Sequence, residues 1–522
     1  MRIFVLLTAF LMCISGSSIF AQKEATSKYW VFFTDKQTDF NPCEYFDPLA
    51  IQRRLKNHVP LADSTDFPVN SGYIQKVGAI ADSTSVVTRW FNAIVAFCSE
   101  KQVQQIRNLA FVKSVEPVGG MAIPASRKPY QEELTSTQMD VLKRQVESLQ
   151  GDVFEKKGIT GKGIRIAIFD GGFPGVDTIP VFAHIRKTGR IIKTYDFTRN
   201  KEFVYSFSSH GTMVMSCIAG ISGDFRMGLA TGAEFLLART EVNTEPFSEE
   251  ENWLAAVEWA DKNGAHIINS SLGYTYHRYF TWDMDGKKSL VTRAANMAAS
   301  KGILVVNAAG NDGANGWKKI GAPADADSVI SVGGIDPTTD FHISFSSYGP
   351  TADKRLKPNV CAFGDVVAAG KKSLKSVQGT SFASPLVAGF AACAMQTDTT
   401  RTTMELFREI EKSGSLYPYY DYAHGYGVPQ ASYFTEGRPA SAPSFEFKAK
   451  EHSIAIIPIA EKIDYKKYMY CHIEDENGII EEYWVTTVNK TSPFEIDKFR
   501  IERGQTLLVQ YNGYVASYKL KK

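Results

Sequence analysis

Gln378-Gly379-Thr380-Ser381-Phe382-Ala383-Ser384-Pro385 crowds small residues around a serine, and the apolar run Leu386 to Ala392 follows it with helical composition. A serine so placed sits in the first turn of a helix. The unpaired N–H groups and the positive dipole end of that turn favour a developing negative charge. That is the environment a nucleophilic hydroxyl needs when it attacks a carbonyl. The alternative is that Thr380 or Ser381 merely caps the helix.

The surrounding chain reads as a parallel α/β unit. Between Gly163 and Phe434, apolar β-type runs (Ile164–Phe169, Ile267–Leu272, Ile303–Asn307, Val329–Val332) alternate with helix-type runs (Thr212–Ala219, Glu250–Lys262, Leu290–Ser300, Pro385–Cys393). Continuous apolar strands separated by helices imply a sheet covered on both faces. In such sheets ligands bind beyond the carboxyl ends of the strands. Asp170, in Ile168-Phe169-Asp170-Gly171-Gly172, closes one buried strand on a carboxylate. Asn311, in Ala309-Gly310-Asn311-Asp312, leaves another through a glycine-rich turn and carries amide donors suited to an oxyanion. His210, in Ser208-Ser209-His210-Gly211-Thr212, heads a helix and is the side chain type best matched to proton transfer near neutral pH. Taken singly, each also has a plain reading: Asp170 as a turn former, Asn311 as a left-handed turn residue, His210 as a structural histidine.

Taken together, the order Asp170, His210, Asn311, Ser381 resembles the subtilisin-like serine proteases. The stretches that carry the resemblance are Asp170-Gly171-Gly172, His210-Gly211-Thr212, Ala309-Gly310-Asn311 and Gly379-Thr380-Ser381-Phe382-Ala383-Ser384-Pro385, the last being highly specific. The likeness covers about residues 155–434, and the spacing resembles the family's with modest insertions. It implies Ser381 as nucleophile, His210 as general base and then acid, Asp170 as the group orienting His210, and Asn311 in the oxyanion hole. It also implies Ser271-Leu272-Gly273 as an extended strand that pairs with the substrate backbone. Gly171 stands where the family more often has Ser or Thr. Asp312 is read as a rim residue of the primary pocket.

The rest of the chain fits a secreted, processed enzyme. Arg2, the apolar run Ile3–Ile14 and Ser18-Ile19-Phe20-Ala21 read as a signal peptide spanning 1–21, with no later apolar stretch of roughly 18 residues. Localisation is therefore expected to be secreted or extracytoplasmic, the periplasm and cell surface included. Residues 28–118 read as a small α+β unit: strands at Lys28–Phe33, Trp90–Phe97 and Phe111–Val115, and helices at Pro48–Asn57, with Arg53-Arg54 on its polar side, and Glu100–Leu109. It resembles the inhibitory propeptides of subtilisin-like zymogens. Residues 119–150 then form an exposed connector ending in a helical stretch, with Arg127-Lys128 and Lys143-Arg144 as candidate cleavage points. Beyond a break at 434–443, residues 444–522 are strand-like, with Asn477-Gly478 and Asn512-Gly513 as hairpin turns, and read as a small β-sandwich. The overall layout also looks like that of subtilases of Bacteroidetes-type bacteria.

Net charge is +2, from 58 basic and 56 acidic residues, which gives no reason to expect a nucleic-acid partner. Protein or peptide substrates are the expected partners. Six cysteines remain beyond Cys13; they lack a CxxC pair, and Cys43 with Cys98 is one candidate disulfide. No cofactor is required by this chemistry. Calcium often accompanies the family, although no residue cluster here compels a site. The expectation is a serine endopeptidase working through an acyl-enzyme. The alternatives are a processing protease of restricted substrate and an idle binding protein on the same fold.

Overall fold

A computed structural model describes residues 25–118, 135–242, 248–275, 278–488, 494–502 and 504–519. The signal-peptide reading and Arg127-Lys128 lie outside these residues. Seven parallel strands form the central sheet, in the order Val360–Phe363, Val329–Ile335, Leu304–Ala308, Ile267–Ser270, Arg165–Asp170, Glu234–Arg239, Ile191–Asp196. Every residue of Arg165–Asp170 is buried, as expected for a strand covered on both faces. Helices His210–Ala219 and Thr380–Thr397 pack against one face, and Ser248–Lys262 and Leu290–Ser300 against the other.

The four apolar runs are strands, as expected. Three other strands escaped the pattern. Ile191–Asp196 is a half-buried edge, Glu234–Arg239 is flanked by charge at both ends, and Val360–Phe363 is only four residues long. The serine helix starts at Thr380 rather than Pro385. Proline is read as a helix start because its missing N–H costs nothing there; here it lies inside the helix, and the carbonyl that it leaves unpaired finds another partner, described below.

The N-terminal unit is an antiparallel four-stranded sheet, ordered Ser83–Thr88, Ala93–Cys98, Ser27–Phe33, Val112–Pro117. Helices Ser71–Ile80 and Glu100–Arg107 contribute to the core on one of its faces through Val77, Val103 and Ile106. The period-2 alternation of Trp30 with Val31, and of Val95 with Ile94, gives the sheet a second apolar face. Trp30, Trp90 and Val95 share a core with Trp253, Leu254 and Val257 of the large domain. Cys43 is exposed and Cys98 buried, and both are free thiols, so the candidate disulfide is not formed.

Arg53 and Arg54, on the polar side of helix Pro48–Lys56, do not face water. They are 2% and 0% exposed and reach into the large domain. Arg54 grips Asp66 through two bonds of 2.8 and 3.1 Å and also lies 2.9 Å from Asp261. Arg53 and Arg89 (2.8 Å) close on the same Asp261, and Lys301 reaches Asp66 at 3.1 Å. Burial opposes the charge on Asp66, but Arg54 and Lys301 more than offset it, and the carboxyl is held below its ordinary pKa.

Helix Ser136–Glu147 belongs to the body of the large domain. Its Gln145 donates to Met227 O (2.8 Å) and accepts from Val367 N (3.1 Å), Leu142 is fully buried, and Arg144 lies over the Phe363 ring at 5.6 Å. Lys143-Arg144 therefore sits within a packed helix and not in an exposed connector. At the other end of the chain, a three-stranded and a four-stranded sheet enclose one core of Phe445, Ile454, Ile456, Cys471, Leu507 and Val509. The turn residues Gly478, Asn512 and Gly513 all have positive φ, which glycine and asparagine tolerate. This region docks on the large domain through tyrosines: Tyr470 against Leu416 and Tyr419, and Ile480 against Tyr420 and Tyr422. Among the described residues, no helix is long and apolar enough to cross a membrane.

Replacing Asp261 with alanine leaves three guanidinium groups without their shared carboxylate. Urea unfolding of the full chain in a Ser381→Ala background should show a loss of about 3–5 kcal/mol, because one partner of a buried ionic cluster has gone. A loss below 1 kcal/mol would mean the cluster is solvated in solution.

Candidate active site

The four residues singled out in the sequence gather at the carboxyl ends of the central strands. Asp170 is the last residue of its strand and is fully buried. It accepts the Gly171 N–H at 2.7 Å. His210 opens helix His210–Ala219, and its Nδ1 lies 3.0 and 2.9 Å from Asp170 Oδ1 and Oδ2. Gly211 makes this approach feasible: a methyl group there would fall 2.5 Å from Gly172 O and 2.9 Å from Asp170 Cβ. The imidazole is part-exposed on its outer side and meets the Phe382 ring at 5.3 Å between centroids. Burial works against the imidazolium, but the charge of Asp170 and its hydrogen bond outweigh that, so the pKa of His210 is raised.

Ser381 is the second residue of its helix, after Gly379 at φ +150°. An α-helix would pair the Ser381 carbonyl with the N–H four residues on, but that residue is Pro385, which has none. Ser271 Oγ takes the place of the missing donor at 2.8 Å, while Ser381 Oγ donates to Ser271 O at 3.2 Å. The two serines thus brace one another. Asn269 Nδ2 donates to Ser271 Oγ (3.2 Å) and Asn269 Oδ1 accepts from Ser384 Oγ (2.9 Å), which extends the brace through fully buried groups. Among the described residues the Ser381 hydroxyl is bonded to Ser271 and not to the His210 ring.

Asn311 Oδ1 accepts from Thr380 N (2.9 Å) and Thr380 Oγ1 (3.0 Å). This fixes the amide so that Nδ2 faces Gly379, where an added methyl group would stand 3.7 Å away. Thr380 Oγ1 in turn accepts the Gly310 N–H at 3.2 Å. Of Ser271-Leu272-Gly273, Ser271 is buried in the brace. Leu272 packs in the core, and its carbonyl accepts from Asn307 at 3.0 Å. Gly273 is the member facing open space, with no atom within 4 Å of where a Cβ would stand. Asp312 is half-buried, and its carboxylate accepts from Asn315 at 2.6 Å. Sequence reading gave Asn269, Asn307, Ser384 and Thr380 no part in holding the site. Asn269 and Asn307 carried a usable signal: an asparagine inside an otherwise apolar buried strand needs partners. No cluster of three or more His, Cys, Asp or Glu side chains suited to a metal occurs among the described residues.

A model of the subtilase family of serine peptidases matches residues 161–427, and a model of the Bacteroidota peptidase S8 propeptide domain matches residues 28–133. The chain belongs to the subtilase family, and its N-terminal unit is a propeptide domain. The protein is a serine endopeptidase of subtilisin type. It is 27% identical to subtilisin DY of Bacillus licheniformis over 51% of this chain and 89% of that one. To alkaline elastase YaB of Bacillus sp. (strain YaB) it is 26% identical, over 58% and 72% of the two chains. To the subtilisin-like protease SBT6.1 of Arabidopsis thaliana it is 35% identical, over 47% of this chain and 22% of that one. Among solved structures, MycP1 from the ESX-1 type VII secretion system aligns at a TM-score of 0.45 and 22% identity, over 57% of this chain and 88% of the other.

Because its pKa is raised, His210 should keep its proton to higher pH than a free imidazole. NMR titration of a Ser381→Ala protein should give a pKa above 6.5 for His210, and Asp170→Asn should bring it down. Peptidase activity that needs the neutral ring should therefore rise with pH through that same value. A pKa at or below 6.5 in the Asp170-containing protein would contradict the electrostatic account.

Proposed function

We propose that Ser381 is the nucleophile of a peptide-bond hydrolase, with His210, Asp170 and Asn311 in the supporting roles. The observation that carries this reading is the contact of 2.9 Å between His210 Nδ1 and the buried Asp170 carboxylate, beside the first turn of the Ser381 helix. That contact assigns the Nδ1 proton to the Asp170 side and leaves Nε2 free to act as base. For attack, the Ser381 hydroxyl must leave Ser271 O and turn about its Cα–Cβ bond to meet the imidazole, a change of staggered rotamer. Hydrogen bonds of this kind are often formed only when substrate is bound.

In the reaction, Ser381 Oγ bonds to the scissile carbonyl carbon as its proton passes to His210 Nε2. The carbonyl oxygen becomes an oxyanion, held by Asn311 Nδ2 and the Ser381 backbone N–H. The C–N bond then breaks, His210 gives its proton to the leaving amine, and an acyl-Ser381 ester remains. Water, deprotonated by His210, attacks that ester; the bond to Ser381 breaks and its hydroxyl is restored. Asp170 holds the ring in place and stabilises the imidazolium.

The chain is read as an exported zymogen. Leu142 and Gln145 are buried in the peptidase body, which supports cleavage upstream of helix Ser136–Glu147. Amino-terminal sequencing of the active form should begin between residues 119 and 136; a start at 144 or 145 would refute this. A fluorophosphonate probe should label the wild-type protein and leave Ser381→Ala unlabelled. Asn311→Ala should lower kcat by about 10²–10³ with little change in KM. Equal labelling of Ser381→Ala would end the assignment, and labelling without casein hydrolysis would mark a processing enzyme of restricted substrate.

A further inference from the structure

The other flank of Asp170 carries a group that the reaction above does not use. Strand Glu234–Arg239 lies in register with Arg165–Asp170, pairing Arg239 with Asp170. Thr240 continues it, donating its N–H to Asp170 O at 3.0 Å, and Glu241 comes next. Glu241 stands beside the active-site turn: a methyl group on Gly171 would be 4.0 Å from its Cβ. No hydrogen bond from the described residues reaches its carboxyl. Burial, then Glu249 and Asp170, push that carboxyl well above its usual pKa, with Arg278 pulling the other way. The Arg278 guanidinium is already committed to Glu250 at 2.6 Å, and that carboxylate also accepts from Tyr279 OH at 2.8 Å.

Tyr274 supplies an independent sign. It follows Gly273 directly, is anchored by two backbone bonds to Ala322 (2.8 and 3.1 Å), and is 5% exposed. Its ring lies under the Arg278 guanidinium at 4.8 Å. Its hydroxyl is buried with no hydrogen-bond partner among the described residues, as is the hydroxyl of Thr240. Burial raises the pKa of this phenol most, the charges of Glu241, Glu249 and Glu250 add to it, and Arg278 opposes them. An orphaned buried hydroxyl costs stability unless something fills the site. A neutral donor would satisfy the hydroxyl but would not relieve the repulsion around Glu241; a cation does both.

We propose that Glu241 and Tyr274 form a specificity pocket for the cationic side chain of a lysine or arginine in the part of the peptide that pairs with Ser271-Leu272-Gly273. The proposal rests on the Ser381 reading of the catalytic site. Binding sets the Glu241 carboxylate against the ammonium or guanidinium. The Tyr274 hydroxyl accepts from the same cation.

The test is a positional scan of fluorogenic peptides that carry lysine, norleucine or glutamate at each site flanking the cleaved bond. With the processed enzyme, one position should favour lysine over norleucine by about tenfold or more in kcat/KM, in keeping with a charged hydrogen bond. In Glu241→Gln that ratio should fall toward one. In Glu241→Lys it should invert, with glutamate now preferred. Tyr274→Phe should reduce the ratio without inverting it. A wild-type ratio near one at every position, or a ratio unchanged in Glu241→Gln, would overturn the pocket. Fluorophosphonate labelling of each protein is run alongside. A labelled wild type with no lysine preference rejects the pocket alone, whereas an unlabelled wild type rejects the Ser381 reading and the pocket with it.

Discussion

The arrangement depends on a carboxylate held without water at the end of the central strand. Asp170 is fully buried, and its compensation comes from the Gly171 N–H and the His210 ring. A buried ionised carboxylate is expensive unless such partners are fixed around it. The fixing is done by sterics as much as by attraction. Gly211 lets a helix begin against Asp170, and the strand supplies a rigid origin from which the imidazole is aimed. Flexible supports would surrender the geometry that the proposed proton transfer requires.

A second constraint acts on the serine. Pro385 removes the N–H that would have closed the helix onto Ser381 O, and Ser271 Oγ fills the vacancy. The exchange ties the strand that leads to Gly273 to the helix that carries Ser381. The sites proposed for backbone pairing and for attack thus move as one body, with Asn269 and Ser384 bonded behind them. Asn311 is tied to the same helix through Thr380, so the proposed oxyanion donor shares its frame.

Much of this was legible in the chain because the chemistry is local. Strand ends such as Phe169-Asp170 and helix starts such as Ser209-His210 announce themselves by a change from apolar run to polar residue and glycine. The parallel sheet followed from continuous apolar runs. What escaped was whatever only tertiary contact decides. Ile191–Asp196 has an edge-strand composition that says little, and Pro385 read as a beginning when it is an interior kink. Arg53 and Arg54 mark the polar side of their helix, yet that side is covered by Asp261 and Lys301, residues more than 200 positions away. Polarity in a sequence shows which groups need partners and is silent on whether water or protein provides them.

The tyrosine-lined seam between the large domain and the C-terminal strands has a practical corollary. Tyr419, Tyr420 and Tyr422 lie in one short segment of the peptidase and are covered from outside by Tyr470, Ile480 and Tyr483. A recombinant fragment ending near residue 443 would bare these rings as a sticky aromatic face. Poor solubility of such a fragment would then report lost cladding and not a defective catalytic fold.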